Sequence, residues 1–326
     1  MTSSIRSWTM CGAMFAALLS LALPASAQSY PTRTVRVIFG LTAGSSSDVM
    51  ARIVAEKLSE KWGTGVIIDN RPGAGGNLAA DLVAKSTPDG YTILLSNVSI
   101  AIAPSFYRKL NYDPLNDLIP VTRLAVTPHV LCVNPELPIK SVKDLISMAK
   151  AKPGELMYSS AGVGQTDHMA TLLLEQMAGI RMRHIPYKGG PPALQAVLSG
   201  EVALDFPGVA AALPLMTSGK IRCVAVSTKT RSSAVPDLPT LDEEGIKGYE
   251  HSLWNGLFAP AGTPQAIIAR LSQDFAEVLR RPDVVQRLGA LGIEAAGSTP
   301  EEFSQFFRAE VAKWGKVIKT TGISTD

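Results

Sequence analysis

Small residues that precede predicted helices are the feature of this sequence with the clearest chemical use. The first such loop runs from Ala43 to Asp48, after the strand-like segment Val35–Phe39 and before a stretch whose apolar residues recur at helical spacing. The first turn of a helix has backbone N–H groups without an intrahelical partner and carries the positive end of the helix dipole. Small residues let an anion approach those groups, so this loop is predicted to bind a carboxylate or a similar anion.

Two later segments repeat this combination of small residues and a following helix. Residues 159–166 connect a predicted strand to an apolar helix, and residues 186–192 open a short helix with two prolines. Each loop on its own is also typical of an ordinary tight turn in an α/β protein. If the three loops meet in one cleft, their backbone N–H groups could hold a carboxylate without a buried arginine. The prediction of an anion site therefore depends on the three loops together.

Polar side chains near these loops have more than one interpretation. Ser45 and Asp48 have the spacing of a capping box, with Ser45 as the N-cap and Asp48 as the third helical residue. Asp205 ends a predicted strand, where it could cap the next segment or accept hydrogen bonds from loop N–H groups or from an amine or hydroxyl of a ligand. Asn255 follows Trp254, which could belong to the core, and the Asn255 amide offers both a donor and an acceptor.

A hydrolase is the catalytic alternative, because serines lie near His168 and Asp205 could complete a triad. However, the sequence has no G-x-S-x-G nucleophile elbow, and His168 falls inside a predicted helix, where a capping or pocket-lining role is more ordinary. The four histidines lack the spacing of metal ligands, and no C-x-x-C occurs. Residues 161–164 lack the third glycine of a dinucleotide fingerprint. We therefore expect no catalytic residue, no metal site and no cofactor.

The elements that must position these residues alternate between strand and helix. The predicted strands are Val35–Phe39, Val66–Ile68, Thr92–Ser96, Val130–Val133, Leu156–Ser159, Val202–Phe206 and Ile221–Ser227. The predicted helices begin near Ser47, Asn77, Ser141, Thr166, Pro191, Pro264 and Pro300. This alternation predicts parallel sheets with helices on both faces, and ligands bind such sheets beyond the carboxyl ends of the strands.

Length, charge and cysteine content limit the classes of protein that fit. The 326 residues are enough for two domains, and at a formal net charge of +3 no Lys/Arg cluster stands out, so we expect no nucleic-acid partner. Cys132 and Cys223 lie in apolar, strand-like runs. The favoured interpretation is two buried thiols that act as small hydrophobic residues, with a disulfide as the alternative.

The N-terminus has the three parts of a secretory signal peptide. Arg6 supplies a thin positive region, residues 11–23 form an apolar run too short to span a membrane, and Ala25-Ser26-Ala27 fits a signal peptidase site. The alternative is a buried N-terminal helix. We predict that residues 1–27 are a signal peptide, cleaved after Ala27, and that the mature protein is periplasmic.

Several motifs, in order along the chain, resemble those of the substrate-binding receptors of tripartite tricarboxylate transporters, also called Bug receptors. The matching segments are Asp69–Asn77, Pro88–Thr92, Tyr112–Pro114, His184–Gly189, Leu238–Thr240 and Ala259–Pro264. The resemblance implies a periplasmic-binding-protein-like (type II) Venus flytrap, with two α/β domains and a ligand cleft between them. Domain 1 would comprise residues 28–126 and 227–326, and domain 2 residues 127–226.

The resemblance also implies a function and a set of binding residues. Such a receptor captures a small organic carboxylate, namely a di- or tricarboxylate, an acidic amino acid or an aromatic acid, and delivers it as a monomer to membrane permease subunits. Residues 44–48 and 159–168 would face each other across the cleft. The candidate ligand-binding residues are Gly44, Ser45, Ser46, Ser47, Asp48, Ser96, Asn97, Ser159, Ser160, Gly162, Gly164, Gln165, His168, Tyr187, Lys188, Gly189, Asp205 and Asn255.

The first loop departs from the pattern of this family. Receptors of this family usually carry a proline and two glycines there, whereas this sequence has Thr42 in place of the proline and Ser45 in place of the second glycine. The Ser45 hydroxyl would narrow the loop and change ligand preference. Two other functions remain as alternatives: a ligand-sensing subunit for a membrane histidine kinase, which would have the same cleft, and an exported hydrolase.

Overall fold

The computed structural model describes residues 30–323, and within them the chain forms two mixed β-sheets with flanking α-helices. The predicted signal peptide, residues 1–27, lies outside the described residues. Between residues 30 and 323, no helix is both long enough and apolar enough to cross a membrane.

The first sheet has six strands in the order β11-β4-β10-β3-β1-β2. These strands are β1 (Val35–Phe39), β2 (Val66–Asn70), β3 (Thr92–Asn97), β4 (Leu118–Thr127), β10 (Leu253–Pro260) and β11 (Glu294–Ala295). Its helices are α1 (Ser46–Trp62), α2 (Asn77–Ala84), α3 (Ser99–Phe106), α8 (Gln265–Leu279), α9 (Pro282–Gly289) and α10 (Pro300–Thr321). A short 3-10 helix, Ala74–Gly76, precedes α2.

The second sheet has five strands in the order β7-β6-β8-β5-β9. They are β5 (Val130–Val133), β6 (Met157–Ser160), β7 (Arg183–Pro186), β8 (Leu204–Asp205) and β9 (Arg222–Val226). The helices of this part of the chain are α4 (Val142–Ala151), α5 (Thr166–Ala178), α6 (Gly190–Leu198) and α7 (Val209–Thr217).

Helix α1 illustrates how the sequence determines where a helix begins, where it ends and which face it buries. Its N-cap is Ser45, and it ends at Gly63, which takes the left-handed conformation that favours glycine (φ 66°). Met50, Val54 and Leu58 recur at four-residue intervals and are buried in a cluster with β1 and α8. The cap, the apolar stripe and the terminal glycine together place the first turn of α1 at the carboxyl end of β1.

The expectation of parallel sheets is correct for only part of each sheet, since β1 pairs in parallel with β2 and β3, and β6 with β7 and β8. Strand β10 runs antiparallel to both of its neighbours, β3 and β4, and β5 runs antiparallel to β8 and β9. Strands β4 and β10 were not predicted because Pro120 and Arg123 interrupt one apolar pattern, while Asn255 and Gly256 interrupt the other. Their pairing has register shifts, which place residues off the strict alternation that predicts a strand.

The favoured interpretation of the cysteines is also wrong. Cys132 on β5 and Cys223 on β9 form a disulfide across neighbouring antiparallel strands. Both strands had been predicted, but the sequence alone does not show that they pair with these two residues opposite each other. The structure therefore selects the alternative that the sequence left open.

The chain crosses between the sheets through segments that lie side by side. The Ser227 N–H donates to the carbonyl oxygen of His129 (2.9 Å), and the Ser227 hydroxyl accepts from the His129 N–H (3.1 Å) and donates to the His251 carbonyl (2.8 Å). The His251 N–H donates back to the Ser227 carbonyl (2.8 Å). This network joins the link from β4 to β5 to both ends of the link from β9 to β10.

Candidate functional site

The first loop leads from β1 into the N-terminus of α1. The Ser45 hydroxyl accepts the Asp48 N–H (3.2 Å), as the capping-box spacing predicts. The reciprocal half of that box is absent, because the Asp48 carboxylate accepts the N–H of Gly44 (3.0 Å). Helix geometry then leaves the N–H groups of Ser46 and Ser47, in the first turn, without an intrahelical acceptor. These two groups, rather than the Gly44 N–H, are the donors that this loop can offer an anion.

Asp48 holds the first loop in place. Its carboxylate forms an ion pair with Arg52 (2.9 Å) and accepts a hydrogen bond from the Asn70 amide (2.9 Å). Burial opposes ionisation, but the hydrogen bonds from Arg52, the Gly44 N–H and Asn70 keep the pKa of Asp48 below its ordinary value. Both oxygens are occupied, so Asp48 stabilises the loop by joining Gly44 to Arg52 on α1 and to Asn70 on β2.

The second loop leads from β6 into the N-terminus of α5. The Ala161 N–H donates to Asp167 (2.6 Å), and the Gly164 N–H donates to the Nδ1 atom of His168 (3.0 Å). The Gly162 N–H and the Ser160 hydroxyl are 3.1 Å apart. Gln165, the N-cap of α5, makes no side-chain hydrogen bond there. This loop is thus held by a carboxylate, an imidazole and a hydroxyl.

The third loop, residues 186–192, is joined to the second loop, residues 159–166, by backbone hydrogen bonds. The Tyr187 N–H donates to the Ser160 carbonyl (2.9 Å), and the Gly189 N–H donates to the Ala161 carbonyl (3.1 Å). The Tyr187 hydroxyl donates to Glu201 (2.7 Å), and Lys188 is exposed. The structure therefore brings loops two and three together.

Asp205 lies at the end of β8 and is buried. One of its oxygens accepts the Phe206 N–H (2.7 Å). Burial, reinforced by the nearby Asp167 carboxyl, raises the pKa of Asp205 well above its ordinary value. Burial likewise raises the pKa of Asp167 to about 6, although N–H groups of Ala161 and His168 donate to its carboxylate. The second loop therefore lies beside two carboxyl groups that resist ionisation.

Candidate residues on β3 and β10 lie opposite each other on the first sheet. Asn97 and Asn255 are register partners, as are Ser96 and Gly256. The Asn97 side-chain oxygen accepts the Ser99 N–H (3.0 Å) and the Ser99 hydroxyl (2.6 Å). Asn255 is fully buried, and neither its amide nitrogen nor its amide oxygen has a partner within residues 30–323. A buried amide in that state favours an ordered water or a ligand group beside it.

One close approach joins the second loop to the first sheet. Gly164 has φ 77°, and a Cβ atom there would lie 3.0 Å from the Cζ atom of Phe106, the last residue of α3. Within the described chain, no hydrogen bond joins the first loop to the second or the third. The second loop thus approaches α3, a helix of the first sheet, and the donors of the first loop are not used by the other two loops.

Ser160 is the serine that a triad would most readily use, and it is fully buried. Its hydroxyl lies 2.6 Å from the Nε2 atom of His184 on β7, the strand next to β6. Ser159 is also fully buried, and its hydroxyl donates to the Ala193 carbonyl (2.9 Å). Neither hydroxyl is accessible to a substrate in this conformation. His184 was not among the candidate residues, although it begins the motif His184–Gly189.

Metal ligands do not cluster in the part of the chain that the structure describes. There, no group of three or more His, Cys, Asp or Glu side chains is close enough to share an ion.

Known proteins similar to this chain are receptors and solute-binding proteins. Residues 50–323 match the family model described as tripartite tricarboxylate transporter family receptor. The protein BugT of Bordetella pertussis is 37% identical over 311 residues, which cover 95% of each chain.

Solved structures agree with this similarity. R. palustris Rpa4515 with adipate is 39% identical, with a TM-score of 0.74 over 90% of this chain and 99% of that chain. MatC from Rhodopseudomonas palustris with bound malate is 31% identical, with a TM-score of 0.70 over 89% and 100% of the two chains. A TctC solute-binding protein from Polaromonas, without ligand, is 26% identical, with a TM-score of 0.81 over 90% and 100%. The fold is therefore that of the two-domain periplasmic binding proteins.

Proposed function

Because this chain belongs to the tripartite tricarboxylate transporter receptor family, we propose that it is a periplasmic solute-binding protein that captures a small organic carboxylate. The ligand is a di- or tricarboxylate, an acidic amino acid or an aromatic acid. The monomeric, ligand-bound protein then docks on the membrane permease subunits of a tripartite transporter. Adipate and malate, the ligands of two similar structures, are the first compounds to test.

The observation that supports this function is the pair of helix N-termini supplied by different sheets. Helix α1 begins beyond the carboxyl end of β1, and α5 begins beyond the carboxyl end of β6. Both starts follow small-residue loops, and the N–H groups of Ser46 and Ser47 remain available at α1. At α5 the N–H of Thr166, the first helical residue, likewise has no intrahelical acceptor. A carboxylate placed between the two helix starts would receive donors from both.

The candidate residues divide by what their polar atoms already do. Asp48 and His168 are engaged within their own loops, so we assign them to holding the loops. Asp205 and Asn255 are buried and retain hydrogen-bonding capacity, so we assign them to the ligand or to waters that bridge to it. Tyr187 contributes through its backbone, because its hydroxyl is bonded to Glu201.

A ligand panel tests the proposed function directly. Thermal unfolding is followed with adipate, malate, citrate, glutamate and benzoate, and with glucose as the neutral control. A ligand present at 100 times its Kd should stabilise the fold by about 2.7 kcal/mol, and calorimetry should then show one saturable site. Tight binding of glucose with no response to any carboxylate would contradict the proposal.

We place the domain boundaries at the crossings between the sheets. Domain 1 comprises residues 28–126 and 227–326, and domain 2 residues 127–226. The bonds among His129, Ser227 and His251 make this region the natural hinge, about which the domains close on the ligand. Small-angle scattering should show a smaller radius of gyration with saturating ligand, and an unchanged radius would count against closure.

The proposed location and partner have their own tests. Mass spectrometry of the exported protein should find Gln28 as its first residue, whereas an intact Met1 in the cytoplasmic fraction would refute export. Uptake of the identified carboxylate should require both this protein and the permease subunits. If permease deletion leaves uptake unchanged, the transporter assignment is wrong even though ligand binding stands.

A further inference from the structure

Two stacked histidines lie directly beneath the second loop. The rings of His168 on α5 and His184 on β7 are 3.9 Å apart between centroids and 10° from parallel. Tyr158 on β6 stacks against His184 on the same side of the sheet (4.9 Å). His168 is buried and His184 is half-buried. The stack joins the start of α5 to the two strands that carry loops two and three.

Each ring is bonded to a different part of the second loop. The Nδ1 atom of His168 accepts the Gly164 N–H (3.0 Å), which requires that Nδ1 carry no proton. The Nε2 atom of His184 is bonded to the Ser160 hydroxyl (2.6 Å), and that hydroxyl also lies 3.1 Å from both the N–H and the carbonyl of Gly162. The two rings therefore fix Gly162 and Gly164, which have φ of 140° and 77°.

We propose that His168 and His184 are positioning residues for ligand capture, a stacked pair of uncharged imidazoles that holds Gly162 and Gly164 in the conformation that receives the ligand. This inference rests on the proposed function and assigns a task to two side chains that themselves need not touch the ligand. A proton on Nδ1 of His168 would remove the acceptor for the Gly164 N–H. A charge on either ring would lie against the face of the other.

The surroundings favour the uncharged state. Burial, together with the His184 ring, lowers the pKa of His168 to about 3, and burial lowers the pKa of His184. The titratable groups around the stack are Tyr158 on β6, Asp167 and Glu175 on α5, and Asp205 on β8 beyond Asp167. Because Asp167 has its pKa raised to about 6, its titration must be separated from that of the histidines.

The sign of the pH effect follows from the direction of these shifts. Above pH 6.5, a histidine whose pKa is lowered on folding is uncharged in both states, and the folded state keeps its full stability. As the pH falls from 6.5 to about 3, the unfolded state binds the proton before the folded state does, so His168 progressively lowers the stability of the fold. Unfolding measured across this range should therefore show a loss of stability that depends on the two rings.

The test uses variants that keep or remove the acceptor atoms. His168→Asn and His184→Gln keep an oxygen near the position of the bonded nitrogen but cannot be protonated, whereas His168→Ala removes the acceptor. At neutral pH, with adipate or malate as the probe, His168→Ala should weaken binding at least about tenfold, and His168→Asn should recover to within about threefold. Thr171→Val is the matched control, because Thr171 is buried on α5 and its hydroxyl donates to the Asp167 carbonyl, away from the loop. It should lower stability without changing affinity.

Two further measurements separate this proposal from its alternatives. Between about pH 7 and 4, the His168→Asn/His184→Gln double variant should lose less stability than the wild type. Asp167→Asn still contains both histidines, so it should show the same histidine-dependent loss of stability as the wild type. If His168→Ala binds like the wild type, or if Asp167→Asn alone removes the pH dependence, the proposal is wrong.

A ligand-free readout keeps the inference testable if no carboxylate binds. Amide exchange at Gly164 should be faster in His168→Ala than in the wild type and slow again in His168→Asn. Nitrogen spectra should show His168 with its proton on Nε2. An equal Gly164 exchange rate in all three proteins overturns the positioning role, whereas failure of the carboxylate panel with the expected exchange rates overturns only the proposed function.

Discussion

The N-termini of α1 and α5 present similar backbone groups, but the side chains that stabilise them differ in charge. At α1, the buried Asp48 carboxylate is paired with Arg52, whose side chain is half exposed. At α5, Asp167 accepts the Ala161 N–H but belongs to no ion pair within residues 30–323, and two imidazoles with lowered pKa values and a hydroxyl hold the rest of the loop. One helix start is therefore held by a charge pair, and the other by buried groups that are most stable without charge.

This difference predicts different responses to solution conditions. An ion pair with a half-exposed partner is weakened by salt, because mobile ions screen it. Buried groups that resist ionisation are little affected by salt but respond to pH, since charging them costs desolvation free energy. The first loop should thus be sensitive to ionic strength and the second loop to acidity.

The largest expected difference between the loops concerns their glycines. Gly44 and Gly164 have similar φ, 85° and 77°, so alanine at either position should cost about 1–2 kcal/mol of backbone strain. At Gly44 the added Cβ meets nothing within 4 Å, whereas at Gly164 it meets Phe106 at 3.0 Å. Overpacking adds about 1–3 kcal/mol, so Gly164→Ala should lose about 2–5 kcal/mol in total. Urea unfolding measures both.

The double variant Gly164→Ala/Phe106→Leu provides the control, because the smaller side chain should remove the added contact. Equal losses for Gly44→Ala and Gly164→Ala would mean that the second loop does not approach α3 in solution, and the comparison of the two loops would lose its structural basis.

The carboxylates should differ next. The pKa of Asp48 is lowered on folding, so its stabilisation is present above the ordinary value of 3.8 and is lost as the pH falls through the folded pKa. The pKa of Asp167 is raised to about 6, so its stabilisation is full below the ordinary value of 3.8 and is lost as the pH rises from 3.8 through about 6. At neutral pH, Asp48→Asn should therefore lose about 1.5–3 kcal/mol, while Asp167→Asn should be neutral or stabilising.

Unfolding of both variants at pH 7 and below pH 6, at low and high salt, checks these signs. Only the effect of Asp48→Asn should shrink with salt. A larger loss for Asp167→Asn than for Asp48→Asn at pH 7 would reverse the assignment of charge to the two helix starts.

Local patterns predicted the parts of the site that depend on neighbouring residues in the chain. The spacing of Ser45 and Asp48 predicted the cap of α1. The position of His168 near the start of a helix predicted a capping or pocket-lining role, and its Nδ1 atom accepts the Gly164 N–H just before that helix. The strands Val35–Phe39 and Val130–Val133 were predicted with the bounds that the structure has. The caps depend on contacts between residues at most four positions apart, and the strands depend on a regular spacing of apolar residues.

What the sequence could not predict depends on contacts between distant segments. The His168–His184 stack requires that Tyr158 on β6 and His184 on β7 be register partners, and nothing in either strand specifies that pairing. The disulfide similarly requires that β5 and β9 be neighbours. The antiparallel part of the first sheet depends on β4 and β10, whose polar residues conceal their strand character, and that of the second sheet depends on which strands neighbour β5. Long-range register is set by tertiary packing, and a single sequence carries no direct signal of it.

The smallest expected difference between the two helix starts concerns their N-caps. Ser45 caps α1 by accepting the Asp48 N–H, whereas the N-cap of α5, Gln165, makes no such bond. Ser45→Ala should therefore destabilise the protein by about 0.5–2 kcal/mol, and Ser45→Gly by only a few tenths, since glycine is tolerated at an N-cap. Gln165→Ser should act in the opposite direction and stabilise the protein by up to about 1 kcal/mol.

The same variants distinguish stability from ligand binding when carboxylate affinity is measured beside urea unfolding. If the Ser45 hydroxyl serves only as a cap, Ser45→Gly should leave affinity unchanged. If the hydroxyl also contacts the ligand, affinity should fall by about 0.5–1.5 kcal/mol, the value of one neutral hydrogen bond, while stability changes little. A Gln165→Ser variant that is no more stable than the wild type would show that the Asp167 carboxylate, which accepts the His168 N–H (2.8 Å), already satisfies the first turn of α5, and the contrast between the two N-caps would not hold.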